Sequence, residues 1–184
     1  MGIGVLVAGK EIMLVYLAGG VSGLTVKAAI GWREYVAERL SIAGIEVRDP
    51  LRGAEGEQHK LKKLGPTKDD SDDPAMSDKA FFTRDRWDVL TSDVILCNLA
   101  GAERVSIGSM FELAFGVIHN KLNVIVLDKS PKDLHDHVFV RESGVVFYNL
   151  DEAIDYILSC SGGERKRARR RSSAIHKTGQ TASS

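Results

Sequence analysis

Glu112 lies in an apolar stretch, Ser106-Ile-Gly-Ser-Met-Phe-Glu-Leu-Ala-Phe-Gly116, that follows the hydrophobic run Asp93–Leu99. A carboxylate at such a strand–turn–helix junction stands where α/β proteins bind ligands, over the carboxyl ends of their strands. There it can attack a sugar carbon as a nucleophile. A local reading competes. Ser109-x-x-Glu112 has the spacing of a capping box, in which serine and glutamate satisfy each other's backbone donors. The two readings are compatible, because the positive end of a helix dipole favours a glutamate and keeps it ionised. Met110, Leu113, Ala114, Val117 and Ile118 are expected to form the buried stripe of this helix, with Glu112 beside the turn.

Two further groups have chemical potential. Tyr16-Leu-Ala-Gly-Gly-Val-Ser-Gly23 ends an apolar run in glycines, which let a ligand approach the backbone and free its amides for anions or sugar hydroxyls. Neither the dinucleotide fingerprint nor the P-loop pattern is met. Phe81-Phe-Thr-Arg-Asp-Arg-Trp-Asp88 sets Asp85 and Asp88 one helical turn apart beside Arg84 and Arg86. That segment reads either as a solvated face with internal ion pairs or as acids turned toward a site. His135 and His137 are two residues apart and share no helical face. No further ligand set accompanies them, so neither a metal nor another cofactor is expected. Trp32 and Trp87 could stack on a base, but read first as packing residues.

These residues need a scaffold, and the apolar pattern supplies one. Met13–Ala18, Ile45–Val47, Asp93–Leu99, Asn123–Leu127 and Val145–Tyr148 read as five buried strands. Helices are expected from a Thr25 cap to about Ala43, with Gly44 as the stop, and from a Ser77 cap to about Thr91. Others follow over Ser109–Asn120 and Asp151–Ser159, with a short one opening at Pro131. Near-continuous apolar strands alternating with helices predict a flavodoxin-like, five-stranded parallel sheet with helices on both faces.

Residues 51–77 lack periodicity and read as a lid or mobile loop. Residues 1–12 read as an extension before a domain spanning 13–160, and 161–184 as a basic disordered tail. The tail carries seven basic side chains against one acid. Its net +6 leaves −6 on the remainder of a formally neutral chain. A mildly acidic body gives no reason to expect a nucleic-acid partner outside the tail. Two unpatterned cysteines suggest reduced thiols in the cytoplasm, and no apolar run approaches the length of a membrane span.

Taken together, Tyr16-Leu-Ala-Gly, Arg84-Asp85 ahead of Ser92-Asp93-Val-Ile-Leu, Gly108, and Glu112-Leu-Ala-Phe-Gly resemble a known family. It is the nucleoside 2-deoxyribosyltransferase superfamily, which includes the deoxynucleoside 5′-monophosphate N-glycosidases. The resemblance runs in order from about Met13 to Leu127. It implies that Glu112 attacks C1′ and displaces the base, that Tyr16 orients Glu112, and that Asp85 assists proton transfer at the base. Substrate contacts would fall on Gly19, Gly20, Ser22, Gly23, Ser106, Gly108 and Ser109. Ser106 stands where the nucleoside transferases usually carry an aspartate and the monophosphate hydrolases a serine, which favours a 5′-monophosphate. The hydrolases' loop arginine is missing at Gly20-Val21-Ser22, leaving Arg33, Arg104 or the lysines of 51–77 to supply a cation. Family members are dimers or higher oligomers, and the resemblance puts His135 and His137 in the segment that completes a neighbouring subunit's site.

The expected activity is cleavage of the N-glycosidic bond of a (deoxy)nucleoside 5′-monophosphate through a covalent glycosyl-enzyme on Glu112, releasing the base to water. Three alternatives stay open: base exchange between deoxynucleosides, a nucleotide-binding module without turnover, and an NAD glycohydrolase.

Overall fold

The computed structural model describes residues 6–7, 10–21, 24–52, 77–130 and 133–161. Two short strands, β1 (Leu6–Val7) and β2 (Lys10–Glu11), pair antiparallel in a small sheet of their own. The main sheet begins at β3 (Leu14–Gly19). It continues, in chain order, with α1 (Val26–Ser41), β4 (Glu46–Arg48), α2 (Asp78–Thr91), β5 (Val94–Asn98) and α3 (Ile107–Ile118). Then come β6 (Leu122–Val126), α4 (Val138–Arg141), β7 (Val145–Phe147) and α5 (Leu150–Cys160). Its five strands are all parallel, in the order β4-β3-β5-β6-β7. This is the expected flavodoxin-like arrangement, with the chain reversing its direction of growth between β3 and β5.

Alternation along the strands divides the core in two. Val15 and Leu17 of β3 face α1 and α5, where Val36, Leu40, Ala153, Ile154 and Ile157 are buried with them. Tyr16 and Ala18 face the other way, with Ile95, Cys97 and Ile125, beneath Val89 of α2, Leu113 of α3 and Val140 of α4. Burying strands on both faces is what lets them read as unbroken apolar runs.

Thr25 and Ser77 cap α1 and α2 as expected, their side chains accepting from the Ala28 and Ala80 amides at 3.2 Å each. Gly44 takes the left-handed conformation after α1, at φ 73°. The expected helix at Pro131 falls outside the described residues, as do the lid residues 53–76 and the tail beyond Ser161. A short helix does occur further on, α4, with His137 as its cap.

α3 departs from expectation twice. It starts at Ile107 with Ser106 as its cap, so Ser109 is already inside the first turn and the Ser109–Glu112 capping box does not form. Glu112 lies in the second turn. The buried positions are Ser109, Leu113 and Gly116, while Ala114, Val117 and Ile118 are exposed. The reason is that α3 is apolar nearly all round, so its pattern does not reveal which face meets the sheet. Packing decides. Asn123 of β6 donates its side-chain amide to the carbonyls of Leu113 and Ser143, at 3.0 and 2.9 Å. Gly116 and Gly144 leave it room; a β-carbon on either would collide with Asn123. The outward side is a stripe of Ile107, Phe111, Ala114 and Ile118, one helical face by spacing.

Candidate active site

The carboxyl ends of β3 and β5 open into a cavity of about 890 Å³. Its wall is drawn from the turn after β3 (Gly19, Gly20, Val21), from Pro50 and Leu51, from α2, from residues 100–106 and from the first turns of α3. Tyr16 lies in the sheet, fully buried, behind Glu112, which lines the cavity. It donates to Glu112 Oε1 at 2.6 Å. Glu112, half-buried, comes from α3, and Asp85 faces the same cavity from α2. Three elements distant in sequence thus bring together the three residues proposed for chemistry.

Burial dominates the ionisation of this group. It pushes the Glu112 carboxyl up to about 7; the Tyr16 hydrogen bond and the Arg33 charge hold it down, and the negative charge of Asp85 adds to the rise. The expectation that a helix dipole keeps Glu112 fully ionised therefore fails. The residue sits in the second turn, beyond the reach of the helix end, and desolvation outweighs the influences that favour its charge. Burial likewise raises the Tyr16 phenol well above its usual range, with Glu112 and Asp85 contributing. Tyr16 is therefore a neutral donor.

Asp85 and Asp88 have parted. Asp88 is buried and pairs with Arg52 at 2.5 Å, while Arg84 donates to the carbonyl of Pro50 at 2.6 Å and lies 3.6 Å from Asp85. Both arginines tie α2 to the turn after β4, and Asp85 is left on the cavity wall. The segment is neither a solvated face nor a pair of catalytic acids: one aspartate holds structure and the other faces the cavity.

Arg33 is not available to a phosphate. Its side chain is 0 % exposed, donates to the carbonyls of Gly19 (3.0 Å) and Ala29, and lies against the Trp32 ring and 3.5 Å from Asp49. It is a buried counter-charge under the site. Gly19 is small for a packing reason, since a β-carbon there would stand 2.8 Å from the carbonyl of Asn98 and 2.9 Å from Trp32. A β-carbon on Gly20 would lie 3.6 Å from that of Ser106, in ordinary contact, and one on Gly108 would meet open space. Ser22 and Gly23 lie outside the described residues.

The Ser106 hydroxyl faces the cavity but is engaged: it caps α3 through the Ser109 amide (3.4 Å) and lies 2.9 Å from the Ser109 hydroxyl. His135 and His137 have separated. His137 is exposed and packs edge-on against Phe139. His135 is 2 % exposed and accepts from the backbone N–H of Ser106 in its own chain.

Sequence reasoning missed the apolar wall of Phe81, Phe82, Phe111 and Phe115 beside the carboxylates. The doublet Phe81-Phe82 in a polar segment was its one signal. Trp32 lines the cavity as well as packing, whereas Trp87 is a surface residue. Among the described residues no helix is long and apolar enough to cross a membrane.

No family model matches the chain, and no curated protein is similar to it in sequence. Its fold, however, recurs in solved structures. One is a conserved protein from Enterococcus faecalis V583, with a TM-score of 0.53 and 16% identity over 79% of this chain and 96% of that one. Another is a 2-deoxyribosyltransferase from the psychrotolerant bacterium Bacillus psychrosaccharolyticus, with a TM-score of 0.53 and 14% identity over 78% of this chain and 91% of that one. At this identity the likeness is one of architecture: the chain has the same doubly wound α/β fold as a 2-deoxyribosyltransferase, over most of both lengths.

Proposed function

We propose that the protein is an N-glycosidase of (deoxy)nucleoside 5′-monophosphates, with Glu112 as nucleophile. The observation that carries this reading is the 2.6 Å hydrogen bond from Tyr16 to Glu112, which lines a cavity that Asp85 also faces. A buried carboxylate oriented by a neutral phenol, with a second carboxyl group across the cavity, suits a retaining displacement at an anomeric carbon. Glu112 attacks C1′ as the bond from C1′ to the base nitrogen breaks. The base leaves with that electron pair and takes a proton from the carboxylic acid of Asp85. Water then attacks C1′, Asp85 takes its proton, and Glu112 departs as a carboxylate. Tyr16 keeps one Glu112 oxygen engaged, which leaves the other to attack. The wall of Phe81, Phe82, Phe111 and Phe115 offers faces on which a planar base can lie.

The 5′-phosphate is the part of the reading that rests on Ser106. Its hydroxyl can turn from Ser109 to a phosphate oxygen, and among the described residues the cations that line the cavity are Arg86 and Arg104. A second reading is favoured by the solved 2-deoxyribosyltransferase with this fold: the same glycosyl-enzyme transferred to an incoming base instead of water. Incubation with nucleosides and their 5′-monophosphates, with and without an acceptor base, separates the two by chromatography of the released or exchanged base. Glu112→Ala is expected to lower either activity by roughly 10³-fold or more. Wild-type rates in that variant on every accepted substrate would overturn the mechanism.

The outward apolar stripe of α3 supports a further part of the proposal, that the protein is a homodimer or higher homo-oligomer.

A further inference from the structure

The segment after β6 was expected to serve a neighbouring subunit, and its own hydrogen bonds suggest another task. Asp128 Oδ2 accepts from the backbone N–H of Gly101 at 2.8 Å. His135 Nε2 accepts from the backbone N–H of Ser106 at 3.0 Å. These two amides bound residues 101–106, which together with Ala100 form one side of the cavity and run into the first turn of α3. Between the two acceptors sits Asp133, whose carboxylate takes the amides of Asp128 (2.6 Å) and His135 (2.7 Å). The side chains of His135 and Asp133 are 0 % and 2 % exposed. Because Nε2 accepts, the neutral ring carries its proton on Nδ1, which lies 3.9 Å from Asp133 Oδ1. A histidine in this state is an acceptor aimed at one backbone amide. A protonated ring, or a side chain without an acceptor, would leave that part-buried N–H without this partner.

We propose that His135 is a positioning residue of the site: with Asp128 it clamps both ends of residues 101–106 and sets where Ser106 and the start of α3 stand against the cavity. The proposal rests on the glycosidase reading for its kinetic consequence, but the clamp can be tested without it. Glu112 is one turn further along α3 and is held independently by Tyr16 and, through the Leu113 carbonyl, by Asn123. Loosening the clamp therefore weakens substrate binding more than it slows the chemical step.

The test compares His135→Leu with His135→Gln, whose amide oxygen can take the place of Nε2. Hydrogen exchange over residues 100–112 should quicken by about tenfold or more in His135→Leu, with β3 and β5 unchanged, and return close to wild type in His135→Gln. On the nucleotide that wild type hydrolyses best, KM should rise by roughly tenfold in His135→Leu while kcat moves by less than about threefold, with the glutamine restoring KM. Three results overturn the clamp: unchanged exchange in the leucine variant, exchange quickened evenly through the sheet, or a glutamine variant as loose as the leucine. A collapse of kcat at constant KM overturns the positioning role and would make His135 part of the chemistry. If wild type releases no base from any substrate, the glycosidase reading fails alone and hydrogen exchange still decides the clamp.

Discussion

A carboxyl group that titrates near neutrality is a poor nucleophile in acid and a good one just above pH 7, and this gives the site a signature. The limb of kcat/KM should rise with pH through a midpoint near 7, the value to which burial pushes Glu112. Tyr16→Phe removes one of the two influences that hold that value down. We expect the limb to move to higher pH in this variant, and the rate at neutrality to fall by roughly tenfold or more. A limb unmoved by Tyr16→Phe would mean that another group controls it. The same shift bears on stability. The folded state keeps a proton on Glu112 between its ordinary value of 4.5 and about 7, so wild type loses stability as pH rises through that window. Glu112→Gln keeps an acceptor for Tyr16 and carries no charge. It should be more stable than wild type above neutrality, by roughly 1–3 kcal/mol, with the difference vanishing below about pH 4.5. Thermal unfolding on both sides of the window reads this directly.

At the scale of the element, α3 carries Glu112 and is fixed to the sheet by Leu113 packing and by the Asn123 side-chain amide. A β-carbon on Gly116 would run into the side-chain amide of Asn123, which supports the carbonyl next to Glu112. Gly116→Ala should cost about 3 kcal/mol or prevent folding. In chemical denaturation it would lower the midpoint, far outside the small change a helix alanine usually brings. The same element shows where sequence stops informing. The strands, the Thr25 and Ser77 caps and the sheet order follow from unbroken apolar runs and cap residues, signals that are local. Tyr16, Asp85 and Glu112 could be named because the ordered motifs around them resemble a family whose strands carry them to one edge. The face of α3 could not be read, since an all-apolar helix has no polar side to mark. Nor could the partners of Asp88, Arg33 and His135. Each is a charge or a ring with a hydrogen-bond partner on another element, and composition does not distinguish a buried polar group from an exposed one.

For the molecule as a whole, the outward stripe is the clearest unspent surface: Ile107 is 73% and Ile118 69% exposed, with Phe111 between them. A second copy is the proposed cover. Sedimentation should find wild type as a dimer or larger at micromolar concentrations, and Ile118→Lys should shift it toward monomer without unfolding it. A monomeric wild type would remove this part of the reading. Ile107 and Phe111 also line the cavity, so one patch of side chains belongs both to the cavity wall and to the outward face of α3. The proposed association and the proposed substrate affinity would then be linked quantities. If the proposed second copy orders Ile107 and Phe111, bound substrate must favour association by the same free energy, and dilution of the enzyme is expected to raise its apparent KM.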